Sequence, residues 1–257
     1  MNLGIIQGRL SKPVDGHMQE FPASWEEEFG LLNKCGLSHI EWLITKGTAK
    51  TNPAFDKHAV LRGLPISSYC ADTLVDARIT DKDYLLEHLQ PICDSAIRNE
   101  ISNITIPLLE DSSVEDPETR QKFKHLILQY AEKYPNLNFS FECELTIEGL
   151  RDIIELSNNF YVTYDTGNIT SYGLEHEEYI EVFHPRINNV HLKDRTYDAK
   201  TVYPATGNTN FELIFKKLTS VGYNGRYTLQ TARGKTGYEV DTILQHKKIL
   251  EGLYNAK

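Results

Sequence analysis

Three observations predict that residues 1–257 form a single (β/α)8 TIM barrel. Strand-like and helix-like segments alternate from end to end, which implies βαβ units and a parallel sheet. Eight such units fit into 257 residues, a length at which these barrels occur. Four strand-like segments in the C-terminal half each end near one residue of metal-ligating type: Glu142, Asp165, His191 and Gln230. A doubly wound open sheet is the alternative, but no Gly-x-Gly-x-x-Gly motif follows the first strand.

The strand candidates, in order, are Leu3–Arg9, His39–Leu43, Ile66–Ala71, Asn103–Leu108, Asn138–Glu144, Tyr161–Asp165, Asn189–Lys193 and Arg226–Gln230. Between them, amphipathic spacing predicts helices over Trp25–Cys35, Lys82–Asn99, Pro117–Lys133, Ile147–Ser157, Glu175–Phe183 and Phe211–Val221, with Val240–Tyr254 closing the chain. Asn52–Arg62, the helix expected after the second strand, carries little periodicity. Pro117 suits a first helical turn, and Gly36 and Gly222 suit the left-handed residue that ends a helix. Two loops are longer than connection requires: Ser11–Ser24 and Arg195–Asn210. Both follow strand C-termini, the face on which such barrels carry their sites.

Around the four candidate ligands the apolar residues keep one parity: Phe139 and Phe141, Val162 and Tyr164, Val190 and Leu192, Tyr227 and Leu229. Side chains alternate faces along a strand, so the ligands share the opposite face. If helices cover the apolar pairs, the ligands converge inside the barrel. Two uncompensated carboxylates buried close together are costly, and a cation removes that cost. Three oxygen donors with one imidazole suit one divalent metal, Mn²⁺, Mg²⁺, Zn²⁺ or Co²⁺.

Composition bounds the rest. A net charge of −9 argues against a nucleic-acid surface, and no long apolar run suggests a signal peptide or a membrane helix. Cys35, Cys70, Cys93 and Cys143 lie far apart, as reduced core thiols of a cytoplasmic protein would. The composition is compatible with a homo-oligomer.

The motifs Tyr164-Asp165-Thr166-Gly167-Asn168, Val190-His191-Leu192-Lys193-Asp194 and Gly207-Asn208-Thr209-Asn210-Phe211 resemble those of the xylose isomerase-like TIM-barrel superfamily. That group includes D-tagatose 3-epimerase, hydroxypyruvate isomerase, inosose dehydratase and endonuclease IV. The resemblance follows the element order of the whole chain and is most specific from the fifth strand to the eighth. Gln7-Gly8-Arg9-Leu10-Ser11 and Leu229-Gln230-Thr231-Ala232-Arg233 are similar to a subgroup of sugar phosphate isomerases or epimerases. The resemblance implies a small sugar substrate and metal ligands at Glu142, Asp165 and His191. The fourth ligand of the family is usually Glu where this chain has Gln230, and Asn168 stands where the family often carries His.

Those departures have chemical consequences. Epimerases of this type use two carboxylates on opposite faces of a metal-bound keto sugar, with the metal stabilising an enediolate. Gln230 can still offer a carbonyl oxygen, but an amide is no base near neutral pH. One-base aldose–ketose isomerisation or β-elimination survives, with Glu142 or Glu144 moving the proton. Arg9, Arg195 and Arg233, at the ends of neighbouring strands, suit an anionic substrate carrying a phosphate or carboxylate. Gly207-Asn208-Thr209 resembles a phosphate-cradling turn.

Secondary expectations are Gln7 and Asn168 against substrate, Glu41 contacting hydroxyls, Trp42 as pocket wall or core packing, and Asp72 and Glu110 near substrate. Lys193 is expected to neutralise carboxylates or touch substrate, and His17 to belong to a lid. The competing functions are a sugar-derivative dehydratase, a non-catalytic sugar-binding barrel that has lost activity, and an endonuclease IV-like hydrolase. Asn168 and the ligand-poor Thr201-Val202-Tyr203-Pro204 stretch disfavour the last.

Overall fold

The computed structural model describes residues 1–256. Its strands are β1 (Asn2–Ile6), β2 (Ile40–Leu43), β3 (Ile66–Cys70), β4 (Asn103–Leu108), β5 (Asn138–Cys143), β6 (Phe160–Asp165), β7 (Ile187–Leu192), β8 (Asp194–Arg195), β9 (Thr201–Val202) and β10 (Arg226–Leu229). The helices are α1 (Trp25–Lys34), α2 (Lys82–Arg98), α3 (Pro117–Lys133), α4 (Ile147–Ile154), α5 (Thr166–Tyr172), α6 (His176–Phe183), α7 (Phe211–Ser220) and α8 (Glu239–Asn255). Eight strands close a barrel in the order β1-β10-β7-β6-β5-β4-β3-β2, and β8 and β9 form a separate antiparallel hairpin. The predicted fold class holds.

The eight helices are distributed differently from expectation. No α-helix joins β2 to β3; short 3-10 turns at Lys46–Thr48 and Pro53–Phe55 take its place. Asn52 organises them: its Oδ1 accepts from Ala54 N (3.0 Å) and from the Trp42 indole Nε1 (2.9 Å), and its Nδ2 donates to Leu43 O (3.0 Å). β6 is instead followed by two helices, α5 and α6. β1 stops at Ile6 rather than Arg9 because Gly8 turns with φ +84°, and a Cβ there would overlap the Glu20 carbonyl.

By contact the residues group into two compact units. One holds residues 41–162. There β3, β4, β5 and the start of β6 pair in parallel, from Tyr69↔Ile104 through Asn103↔Asn138 to Phe139↔Phe160. The outer face of β5 packs under α3: the rings of Phe123 and Phe141 lie 5.9 Å apart edge to face, and Phe141 meets Phe160 at 5.2 Å. The apolar parity read from the sequence is therefore the helix-covered face, which leaves Ser140 and Glu142 on the other.

The second unit comprises residues 1–40 and those from 163 onward. β10 pairs with β1 (Asn2↔Arg226 to Ile5↔Leu229) and with β7 (Arg226↔Asn189 to Leu229↔Leu192). Tyr227 packs against Phe215 of α7 and Tyr254 of α8, and Tyr164 stacks on Tyr179 of α6. Gly4, Thr228 and His191 consequently align on the opposite face. All four cysteines are buried, none in a disulfide. No helix of the described residues is long and apolar enough to cross a membrane.

Candidate functional site

Asp165 ends β6 and also caps α5. Its Oδ1 accepts from Gly167 N (2.9 Å) and Asn168 N (2.8 Å), satisfying two amides at the helix start. That leaves Oδ2 for other work. Oδ2 lies 3.9 Å from His191 Nδ1 and 2.8 Å from Lys193 Nζ, the latter without the alignment of a hydrogen bond.

Glu142, Asp165 and His191 are all buried, and each offers a ligand atom within 4.8 Å of the others. This is a candidate metal triad. Gln230 follows β10, donates its backbone N–H to Leu192 O (3.1 Å), and is 2% exposed. Its Oε1 is buried without a hydrogen-bond partner, a state that costs about 1–3 kcal/mol unless something else satisfies the oxygen. A hard or borderline cation fits the triad's donor set of two carboxylates and an imidazole.

Behind Asp165 runs a buried hydrogen-bond chain. Thr170 Oγ1 donates to Thr166 O (2.7 Å), so the neighbouring His176 Nε2 (3.0 Å) must be the donor to it. His176 Nδ1 is then the acceptor for the Tyr164 hydroxyl (2.5 Å). Burial pushes the His176 imidazole down to about 4 and the Tyr164 hydroxyl well up, helped by the nearby Asp165 charge. Thr209 Oγ1, 3.1 Å from Thr170 Oγ1, accepts from Arg195 N (3.3 Å) and ties the loop after β7 to α5. Asn168 is buried on α5, with Lys193 Nζ 3.5 Å from its Oδ1.

The expected arginine rim is built differently. Arg9 is buried: Nε donates to Thr231 O (3.1 Å), Nη1 to Met18 O, and Nη2 to Gln19 Oε1 (3.3 Å). Arg233 donates from Nη1 to Gly8 O (2.8 Å) and from Nε to His17 O (3.0 Å). Both guanidiniums hold the Ser11–Ser24 loop rather than presenting a fork to solvent. Arg195 is half-buried, with Nη1 donating to Ser171 Oγ (3.3 Å). Gln7 is fully buried just past β1. His17 enters the loop through its backbone, its N–H donating to Glu20 and its carbonyl accepting from Arg233 Nε.

Two carboxylates that sequence reasoning passed over complete this loop. Glu28, in a run of first-turn acids on α1, reads as a solvated helix face. Instead it is buried and accepts from Gly8 N (3.0 Å), Leu10 N (3.1 Å) and Ser11 Oγ (3.0 Å). Burial pushes its carboxyl up despite those donors. Glu20 accepts the amides of Val14, Asp15 and His17. Burial raises it, but those amides and Arg233 outweigh burial and bring it below its ordinary value. A third, Asp194, is fully buried and accepts from Thr206 N (3.1 Å), Gly207 N (2.9 Å) and Thr209 N (3.1 Å). Its sequence signal was its place at the end of the Val190-His191-Leu192-Lys193-Asp194 motif.

Within residues 41–162, Glu41 is fully buried and accepts from Thr105 Oγ1 (2.6 Å). Trp42 is fully buried with the opposite parity and is bonded to Asn52, so it belongs to packing rather than to a pocket wall. Asp72 opens a 3-10 turn after β3 and Glu144 follows β5; both are half-buried. Glu110 is exposed, with φ +52°.

Residues 130–251 match one family model. That family is the xylose isomerase-like TIM barrel. Solved xylose isomerase-like barrels share the fold over nearly all of the chain. The IOLI protein, whose crystal structure holds a zinc atom, is 15% identical with TM-score 0.76, covering 100% of this chain and 99% of that one. L-ribulose 3-epimerase is 15% identical with TM-score 0.73, covering 99% and 94%. The probable 3-DHS dehydratase AsbF from Bacillus anthracis is 15% identical with TM-score 0.71, covering 98% and 99%. No curated protein matches the sequence.

Proposed function

We propose that residues 1–257 work as one barrel domain, a divalent-metal-dependent isomerase or epimerase of a small sugar. The observation that carries this reading is the buried Glu142–Asp165–His191 group, whose ligand atoms lie within 4.8 Å of one another. Gln230 Oε1, buried and lacking a hydrogen bond, supports it as a neutral fourth donor. A divalent ion held there supplies charge to polarise a keto-sugar carbonyl. Everything else falls to the chain's own groups. Glu142 or Glu144 moves a proton between adjacent carbons. Gln230 cannot accept it, which favours one-base chemistry over two-base epimerisation. Lys193 and Asn168 orient substrate hydroxyls beside Asp165, and Gln7, Glu41, Asp72 and Arg195 are the remaining candidates for binding. The four buried cysteines without a disulfide suit a cytosolic setting.

Elimination is the second reading. Gln230 favours it equally, because a dehydratase also needs only one base, and one fold neighbour is a probable dehydratase. Metal analysis of the purified protein, then solvent-deuterium incorporation into a panel of ketoses, tests both. Incorporation with an isomeric product supports isomerisation, and loss of water supports elimination. Neither metal nor exchange would leave the non-catalytic barrel standing.

A further inference from the structure

Resting on that reading, we infer that the sugar is unphosphorylated, because the groups best suited to hold a phosphate are already occupied within the protein. The turn Thr206–Thr209 is the clearest case. Its three amides converge as an anion cradle does, yet all three donate to the Asp194 carboxylate at 2.9–3.1 Å. The turn is closed down on that carboxylate: a Cβ on Gly207 would overlap Asp194 Oδ1 and lie 2.8 Å from Arg195 O. An incoming phosphate would have to expel a fully buried aspartate and leave it without partners.

The cations are committed in the same way. Arg9 donates to three acceptors and Arg233 to two carbonyls, with Glu20 and Glu28 balancing the Arg233 charge. Lys193 Nζ lies 2.8 Å from Asp165 Oδ2. Arg195, whose Nη1 donates to Ser171 Oγ, is the remaining rim cation. A phosphate monoester carries about −1.5 to −2 charge near neutrality. One guanidinium in a chain of net charge −9 is a poor match for it, but an adequate partner for hydroxyls.

The test pairs the metal-loaded protein with D-ribulose and D-ribulose 5-phosphate, and with D-fructose and D-fructose 6-phosphate. Solvent-deuterium incorporation is expected to be at least tenfold faster for the unphosphorylated member of a reacting pair; faster exchange in the phosphate overturns the inference. Separately, phosphorus NMR follows inorganic phosphate added to the wild-type protein and to Asp194→Gly. No broadening is expected with wild type, and broadening is expected once the cradle amides are released. Saturable binding by wild type overturns the inference whatever the variant does. If no sugar exchanges, the isomerase reading has failed, and the wild-type phosphate titration alone decides this one. A variant that does not fold leaves both wild-type arms intact.

Discussion

Arg9 and Arg233 exchange backbone hydrogen bonds across the ends of two paired strands. Arg9, past β1, donates to the carbonyl of Thr231 past β10, and Arg233, past β10, donates to the carbonyl of Gly8 past β1. The same guanidiniums reach Met18 and His17, so one reciprocal clasp secures both the seam and the Ser11–Ser24 loop. Arg9→Met and Arg233→Met keep the aliphatic stems and remove the donors. Each should lower unfolding free energy by about 1.5–3 kcal/mol and speed proteolytic cleavage within residues 11–24. Unchanged denaturant midpoints combined with a raised KM would instead assign these arginines to substrate.

His176 gives the protein a pH dependence with a definite sign. Its folded value is depressed to about 4 from 6.5, so the native state binds fewer protons than the unfolded chain between those limits. Stability is therefore fully present above pH 6.5 and is lost as pH falls towards 4, by on the order of 3 kcal/mol. His246, also depressed to about 4 by burial, acts in the same direction. Melting temperatures between pH 4 and 7 should show a shallower slope in His176→Gln than in wild type. Parallel slopes would mean that His176 is charged in the fold.

Asp165→Asn separates the two oxygens of that side chain. Asparagine caps helices as well as aspartate does, so the Oδ1 bonds to α5 survive while the charged Oδ2 is lost. Manganese at a hundredfold excess over its Kd should stabilise wild type by about 2.7 kcal/mol. The variant should fold, bind manganese at least about tenfold more weakly, and show little of that gain in a thermal melt. A retained manganese shift would remove Asp165 from the ligand set.

Gly207→Ala should damage the loop after β7 through Asp194. The added methyl has no room beside Asp194 Oδ1, Arg195 O and Val202 Cγ2, and all three belong to residues of the β8–β9 hairpin. A loss of about 1–3 kcal/mol in urea unfolding is expected. A neutral result would show that the turn opens easily.

The strands and their faces were legible because a period of two survives in the residues themselves. Phe139 and Phe141 announced the helix-covered side of β5, and by subtraction the side of Glu142. α5 was not legible. Thr166–Tyr172 mixes β-branched residues with glycine and has no apolar stripe, and it is held by the Asp165 cap and by Thr166 and Thr170 bonding to backbone. The arginines show the same limit. Their residue type suggested anion binding, but Arg9 and Arg233 donate chiefly to main-chain carbonyls, which leave no mark in a side-chain pattern. Glu28 and Asp194 were hidden likewise, since a carboxylate that gathers amides looks in sequence like any solvated acid.

The crossover from β2 to β3 rests on Asn52, whose one amide serves an indole, a main-chain amide and a main-chain carbonyl. With no α-helix there to share the load, that stretch of wall should exchange its amide protons ahead of the rest. Trp42 is one of only two tryptophans, so its emission makes the protein its own reporter of the event. A red shift ahead of global melting would mark the barrel opening first at Asn52.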